Sequence, residues 1–101
     1  MKIIEKLTDM IDEELHDAEK YALCAQKYGD EYPELAQTFL VLSREEMRHK
    51  DMLHEQVVKI IAKHRAEHGE PPAAMKAVYD YLHQKAVDRA AEITRLQERR
   101  R

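Results

Sequence analysis

Three side chains in this sequence are of types that bind metals and fall where apolar residues are otherwise expected. They are Glu14, Glu46 and His49. On the first helical stretch the stripe runs Ile4, Leu7, Ile11, Glu14, Ala18, Tyr21, Ala25 and Tyr28; on the second it runs Phe39, Leu42, Glu46, His49, Leu53, Val57 and Ile60. Burying a charge without a partner costs several kcal/mol, so such groups are paired or coordinate a cation. Two carboxylates and an imidazole are a donor set for iron or manganese, with open coordination positions for oxygen or peroxide, and zinc fits the same donors.

The elements that must carry these residues are helices. Gly 2 and Pro 3 are scarce, while Ala, Leu, Glu, Lys, Arg and Gln abound, which favours long helices over sheet. The 101 residues predict one domain with helices at about 3–28, 33–68 and 73–98. Gly29 stops the first helix, Asp30-Glu31-Tyr32 connects, and Pro33 with Glu34 suits the first turn of the second. Gly69 and Glu70-Pro71-Pro72 break the chain before a third helix, whose stripe is Val78, Leu82, Ala86, Ile93 and Leu96.

The first two helices form an antiparallel hairpin with its turn near residues 30–31. Glu14 precedes that turn by about as many residues as Glu46 follows it, so the two stand at one height. His49 is one turn beyond Glu46 on the same face. A hairpin thus offers a carboxylate opposite a Glu-x-x-His pair. Di-iron carboxylate bundles use two such sets, and a two-fold copy of this chain completes a four-helix bundle with four Glu and two His. A Glu-x-x-His string alone arises about once by chance in a chain with this much Glu and His. A second instance, Glu13 to His16, lies off the seam. On residue physics alone the three residues read equally as a metal centre or as a polar layer that sets helix register.

Net charge is −3, which gives no support to nucleic-acid binding. The acids concentrated in residues 1–32 read as a solvated face, and Arg99–Arg101 as a frayed terminus. Cys24 stands alone, so neither an intrachain disulfide nor a cysteine-rich metal ribbon is encoded. The start lacks a signal-peptide pattern, and the longest apolar run, Phe39 to Leu42, is too short for a membrane span, so a cytoplasmic setting is expected.

Glu13-Glu14-Leu15 with Tyr21, and Glu45-Glu46-Met47-Arg48-His49, resemble the encapsulated ferritin family, within the ferritin-like group that includes rubrerythrins. The resemblance covers about residues 1–65. It implies Glu14, Glu46 and His49 as iron ligands, two irons per dimer, and Tyr21 as a neighbour in the catalytic set. It implies ferroxidase activity, in which Fe(II) is oxidised by oxygen or peroxide between two subunits, in iron storage or detoxification. It further implies a homodimer, a higher annular oligomer, and an encapsulin shell as partner and location. Rubrerythrins add a four-cysteine electron-transfer domain; with Cys24 alone, a self-contained peroxide reductase is not expected. Two other functions stay open: a metal-free helical interaction module, and a di-metal peroxidase fed by an external reductant.

Overall fold

The structure, a computed structural model, describes residues 1–99; Arg100 and Arg101, the end of the basic run, lie outside the described residues. Three helices follow in order: α1 (Lys2–Tyr28), α2 (Pro33–His68) and α3 (Ala73–Glu98). No strand occurs among the described residues. The molecule is a rod of 56 × 19 × 18 Å, its length set by the 36 residues of α2 at ~1.5 Å each.

The punctuation between helices has distinct causes. Pro33 pushes Tyr32 into an extended conformation (φ −129°, ψ 71°), which ends the helical run. The Tyr32 amide still donates to the Tyr28 carbonyl at 2.8 Å. Gly29 keeps right-handed helical angles (φ −64°, ψ −30°), so α1 does not use a left-handed glycine stop. Gly69 does, at φ 79°, and its amide caps the Arg65 carbonyl at 2.8 Å.

Helices α1 and α2 form the antiparallel hairpin, and α3 returns alongside α1 in the same direction. Three cross-links track that course: the Met1 amino group donates to Tyr79 Oη (3.0 Å), Arg89 Nη1 to Asp12 Oδ1 (2.9 Å), and Gln26 Nε2 to the Leu96 carbonyl (2.8 Å). One core cluster joins Ile11, Leu15, Ala18 and Ile93, with Met47, Leu53 and Val57 packed on it. A second, nearer the hairpin loop, joins Ala25, Ala36 and Leu40, flanked by Phe39.

The hairpin seam is turned from the stripes read in the sequence. On α1 the buried line is Ile4, Ile11, Leu15, Ala18, Ala22 and Ala25; on α2 it is Ala36, Leu40 and Ser43. Ala18, Ala22, Ala25, Ala36 and Ser43 let the two backbones approach closely between the larger Ile11, Leu15 and Leu40 of the same line. Tyr21, Phe39, Leu42, Glu14 and Glu46 consequently sit half-buried on the flank, and His49 is exposed. The α3 stripe also departs from expectation. Ile93 is fully buried, but Val78 and Leu82 are exposed, because α3 packs far less against α2 than against α1. Gln97, unremarked in the sequence, is buried beside Leu96.

Candidate metal centre

Glu14 projects from α1 and Glu46 and His49 from successive turns of α2, all toward one point on the flank of the hairpin. His49 Nδ1 lies 3.4 Å from Glu14 Oε2 and 3.6 Å from Glu46 Oε2. One ligand atom from each residue falls within 4.8 Å of the others. Among the described residues this is the only group of three His, Cys, Asp or Glu side chains that converges so closely. The side chains are 25%, 20% and 45% exposed respectively, so the group lies at a half-open surface and not inside the core.

The electrostatics are those of a site short of positive charge. The Glu46 carboxyl is raised from its ordinary value of 4.5, first by its hydrogen-bonding contact with the Glu14 carboxyl, then by burial and by the Glu14 charge. Asp17 adds to the rise and His49 opposes it. Glu14 Oε2 is buried and has no hydrogen-bond partner among the described residues. A buried carboxylate oxygen left without a donor is costly. A divalent cation held by Glu14, Glu46 and His49 would satisfy that oxygen and relieve the repulsion between the carboxylates, so the donor set and its charge fit a metal of the iron or manganese type.

The flank that carries the three residues is also apolar and partly uncovered. Along α1, Met10, Tyr21 and Tyr28 follow the same line as Glu14; along α2, Leu35, Phe39, Leu42 and Leu53 follow the line of Glu46. All are half-buried or exposed. Tyr21 stacks on Phe39 with ring centroids 6.2 Å apart. Its hydroxyl makes no hydrogen bond to the cluster among the described residues, so the contact it has is packing. Glu13 and His16 are exposed, as is Glu45, and Asp17 pairs with Lys20 at 3.7 Å.

Two pairings were not legible in the sequence. His54 and His83 stack with ring centroids 5.0 Å apart. They are far apart in the chain and share no local pattern. Ser43 Oγ donates to the Ala18 carbonyl at 2.7 Å, and Gln97 Nε2 donates to Ser43 Oγ at 2.8 Å. Ser43 lies off the apolar stripe read on the second helix, so no local pattern pointed to the latter.

No helix among the described residues is long and apolar enough to cross a membrane. A family model described as Rubrerythrin matches residues 5–99. Comparisons with curated proteins and with solved structures find no match.

Proposed function

The chain belongs to the rubrerythrin family, in the ferritin-like di-iron carboxylate group, and from that premise we propose that it oxidises Fe(II) at a di-iron centre completed by a second copy of the chain. The observation that carries the reading is the convergence of Glu14, Glu46 and His49 around an unsatisfied carboxylate oxygen on a half-open apolar flank. One hairpin supplies half of the ligand set of a di-iron bundle. A two-fold partner laid on that flank would supply the other half and cover Tyr21, Phe39 and Leu42.

Iron held by Glu14, Glu46 and His49 would supply the redox chemistry, the two-electron reduction of oxygen to hydrogen peroxide by two Fe(II) with uptake of two protons. The chain's own residues bind and balance charge. Glu14 and Glu46 offer anionic oxygens that favour Fe(III) over Fe(II), and His49 offers one nitrogen per subunit. The raised Glu46 carboxyl favours its proton, and a cation bound there would displace that proton to solvent, so metal uptake would release protons from this position. Tyr21 sits two turns, ~10 Å, along α1 from Glu14, a neighbour of the centre and not a ligand.

The motif resemblance makes an annular assembly inside an encapsulin shell the finer version of this proposal. The family match favours a second reading, reduction of peroxide at the same metals. That reaction needs a reductant, and residues 1–101 with Cys24 alone do not supply a cysteine-held electron-transfer centre.

Anaerobic Fe(II) titration of metal-free protein, with the mass followed by sedimentation, tests the proposal. Saturation at one iron per chain with dimer formation is expected, followed by Fe(III) absorbance on admitting air. Failure to bind iron would leave a metal-free interaction module as the better reading. Turnover only with peroxide and an added reductant would favour the second.

A further inference from the structure

Beside the candidate centre lies a polar relay that none of the chemistry above uses. Ser43 is fully buried and Gln97 is 7% exposed, yet both are polar and both lie in the hydrophobic seam. A helical serine ordinarily turns its hydroxyl back to a carbonyl of its own helix. Ser43 instead reaches across to the carbonyl of Ala18 on α1, at 2.7 Å, and accepts from Gln97 Nε2 on α3 at 2.8 Å. One hydroxyl thereby ties together all three helices.

Its height is what gives it meaning. Ala18 is four residues from Glu14 and Ser43 three residues from Glu46, both on the loop side of the cluster. The relay therefore crosses the hairpin about one helical turn, ~5 Å, from the point where the ligands meet. The surrounding seam is Ala18, Ala22, Ala25 and Ala36, bounded by the buried Leu15 and Leu40. Apolar packing is non-directional, so of itself it opposes a small slide of α2 along α1 less sharply than a directional contact does. A hydrogen bond weakens steeply with angle and distance, and this one resists such a slide. A slide would displace Glu46 and His49 together relative to Glu14, and misplacement by about 1 Å is enough to spoil a metal site.

We infer that Ser43 and Gln97 are positioning residues that fix the register of α2 on α1, and through it the spacing of Glu14 against Glu46 and His49. The inference rests on the metal-centre reading above. It gives α3 a part in the site although α3 contributes no ligand: its last turn locks the hairpin from behind.

The test compares wild-type protein with Ser43→Ala, Gln97→Met and the double variant, by anaerobic Co(II) titration and by thermal unfolding. Ser43→Ala leaves the buried Gln97 amide without its acceptor, and Gln97→Met removes one of the two hydrogen bonds at Ser43, so each is expected to lose stability; the double variant removes both groups and regains much of it. Co(II) affinity separates register from stability. All three variants are expected to bind Co(II) at least about 10-fold more weakly than wild type, on the scale of losses seen when groups that orient ligands are removed. The double variant should remain weak even where its melting temperature has recovered. Wild-type affinity in the stable double variant would overturn the inference and leave the metal-centre reading intact. Absence of Co(II) binding by the wild-type protein would overturn that reading and the inference with it.

Discussion

Replacing Glu46 by alanine separates a metal ligand from a structural polar group, because the two roles predict opposite changes. The ligand oxygens of Glu14 and Glu46 are at most 4.8 Å apart. Two full charges at that distance repel by ~1 kcal/mol at the screening of water and by ~3.5 kcal/mol at an effective dielectric of 20. The Glu46 side chain is 20% exposed at a half-open surface, so solvent partly screens its charge. The lower figure is the appropriate one. E46A should therefore leave the metal-free fold unchanged or more stable by up to ~1 kcal/mol, after allowing for the small loss of side-chain packing. Metal binding should respond in the other direction. The proposed dimeric centre would lose two of its six ligands, and the loss should exceed the 10–100-fold that accompanies removal of groups merely supporting ligands. Urea unfolding of the metal-free protein gives the first quantity, and anaerobic Co(II) or Fe(II) titration gives the second. Retention of wild-type iron stoichiometry and affinity by E46A would refute the site assignment. A loss of ~2 kcal/mol or more with a changed oligomeric state would identify Glu46 as a register residue instead.

The pH dependence of the same carboxyl gives a second prediction. A carboxyl raised in the folded protein binds its proton more tightly there than in the unfolded chain. On its account the metal-free protein is most stable below about pH 4.5 and loses that contribution as pH rises through the folded value; E46Q should remove this component of the stability profile. His54 behaves oppositely. Burial, then His83 and then Lys50 hold it below its ordinary value of 6.5, against Asp51. Its contribution is fully present above pH 6.5 and is lost as pH falls toward the folded value. Amide exchange over residues 73–87, corrected for intrinsic rates, should accelerate on acidification, and His54→Phe should flatten that response; protection that stays constant in the wild type would count against the stacked pair as a pH-sensitive contact. Ile93 is fully buried where α3 meets the hairpin core, so Ile93→Ala should cost ~2–4 kcal/mol in urea unfolding. A cost under ~1 kcal/mol would mean that α3 is not docked as described.

Much of the scaffold was legible because its punctuation is strong. Pro33, Gly69 and the Pro71-Pro72 pair mark the helix limits, and counting residues outward from the hairpin turn is enough to put Glu14 level with Glu46. The orientation of the seam was harder to read. Ile4, Ile11, Ala18 and Ala25 lie on both the sequence stripe and the buried line, but Ala22 and Ala36 carry little hydrophobic weight, so the larger Tyr21, Phe39 and Leu42 beside them dominated the pattern. That error displaced Glu14, Glu46 and His49 from a presumed core to a half-open flank, and so changed why they need a partner. Gln97 escaped notice because a polar residue near a helix end reads as solvated, and its burial depends on Ser43 across the bundle. The exposure of Val78 and Leu82 likewise depends on the divergence of α3 from α2, which no local pattern encodes.

Three long helices alternating in direction place the two ends of the described chain at opposite poles of the rod. Met1 is tethered to Tyr79 at the pole of the α2–α3 connection, while Leu96 meets Gln26 at the pole of the hairpin loop. Joining the ends of one molecule would require a strap along the 56 Å length, at least ~16 extended residues. Circular permutation, which short linkers permit in most small proteins whose ends are close, is therefore disfavoured here. The same separation suits directional fusion. Cargo or an affinity handle attached before Met1 and a second attached after the last helix would leave from opposite poles, clear of each other and of the flank bearing Glu14, Glu46 and His49.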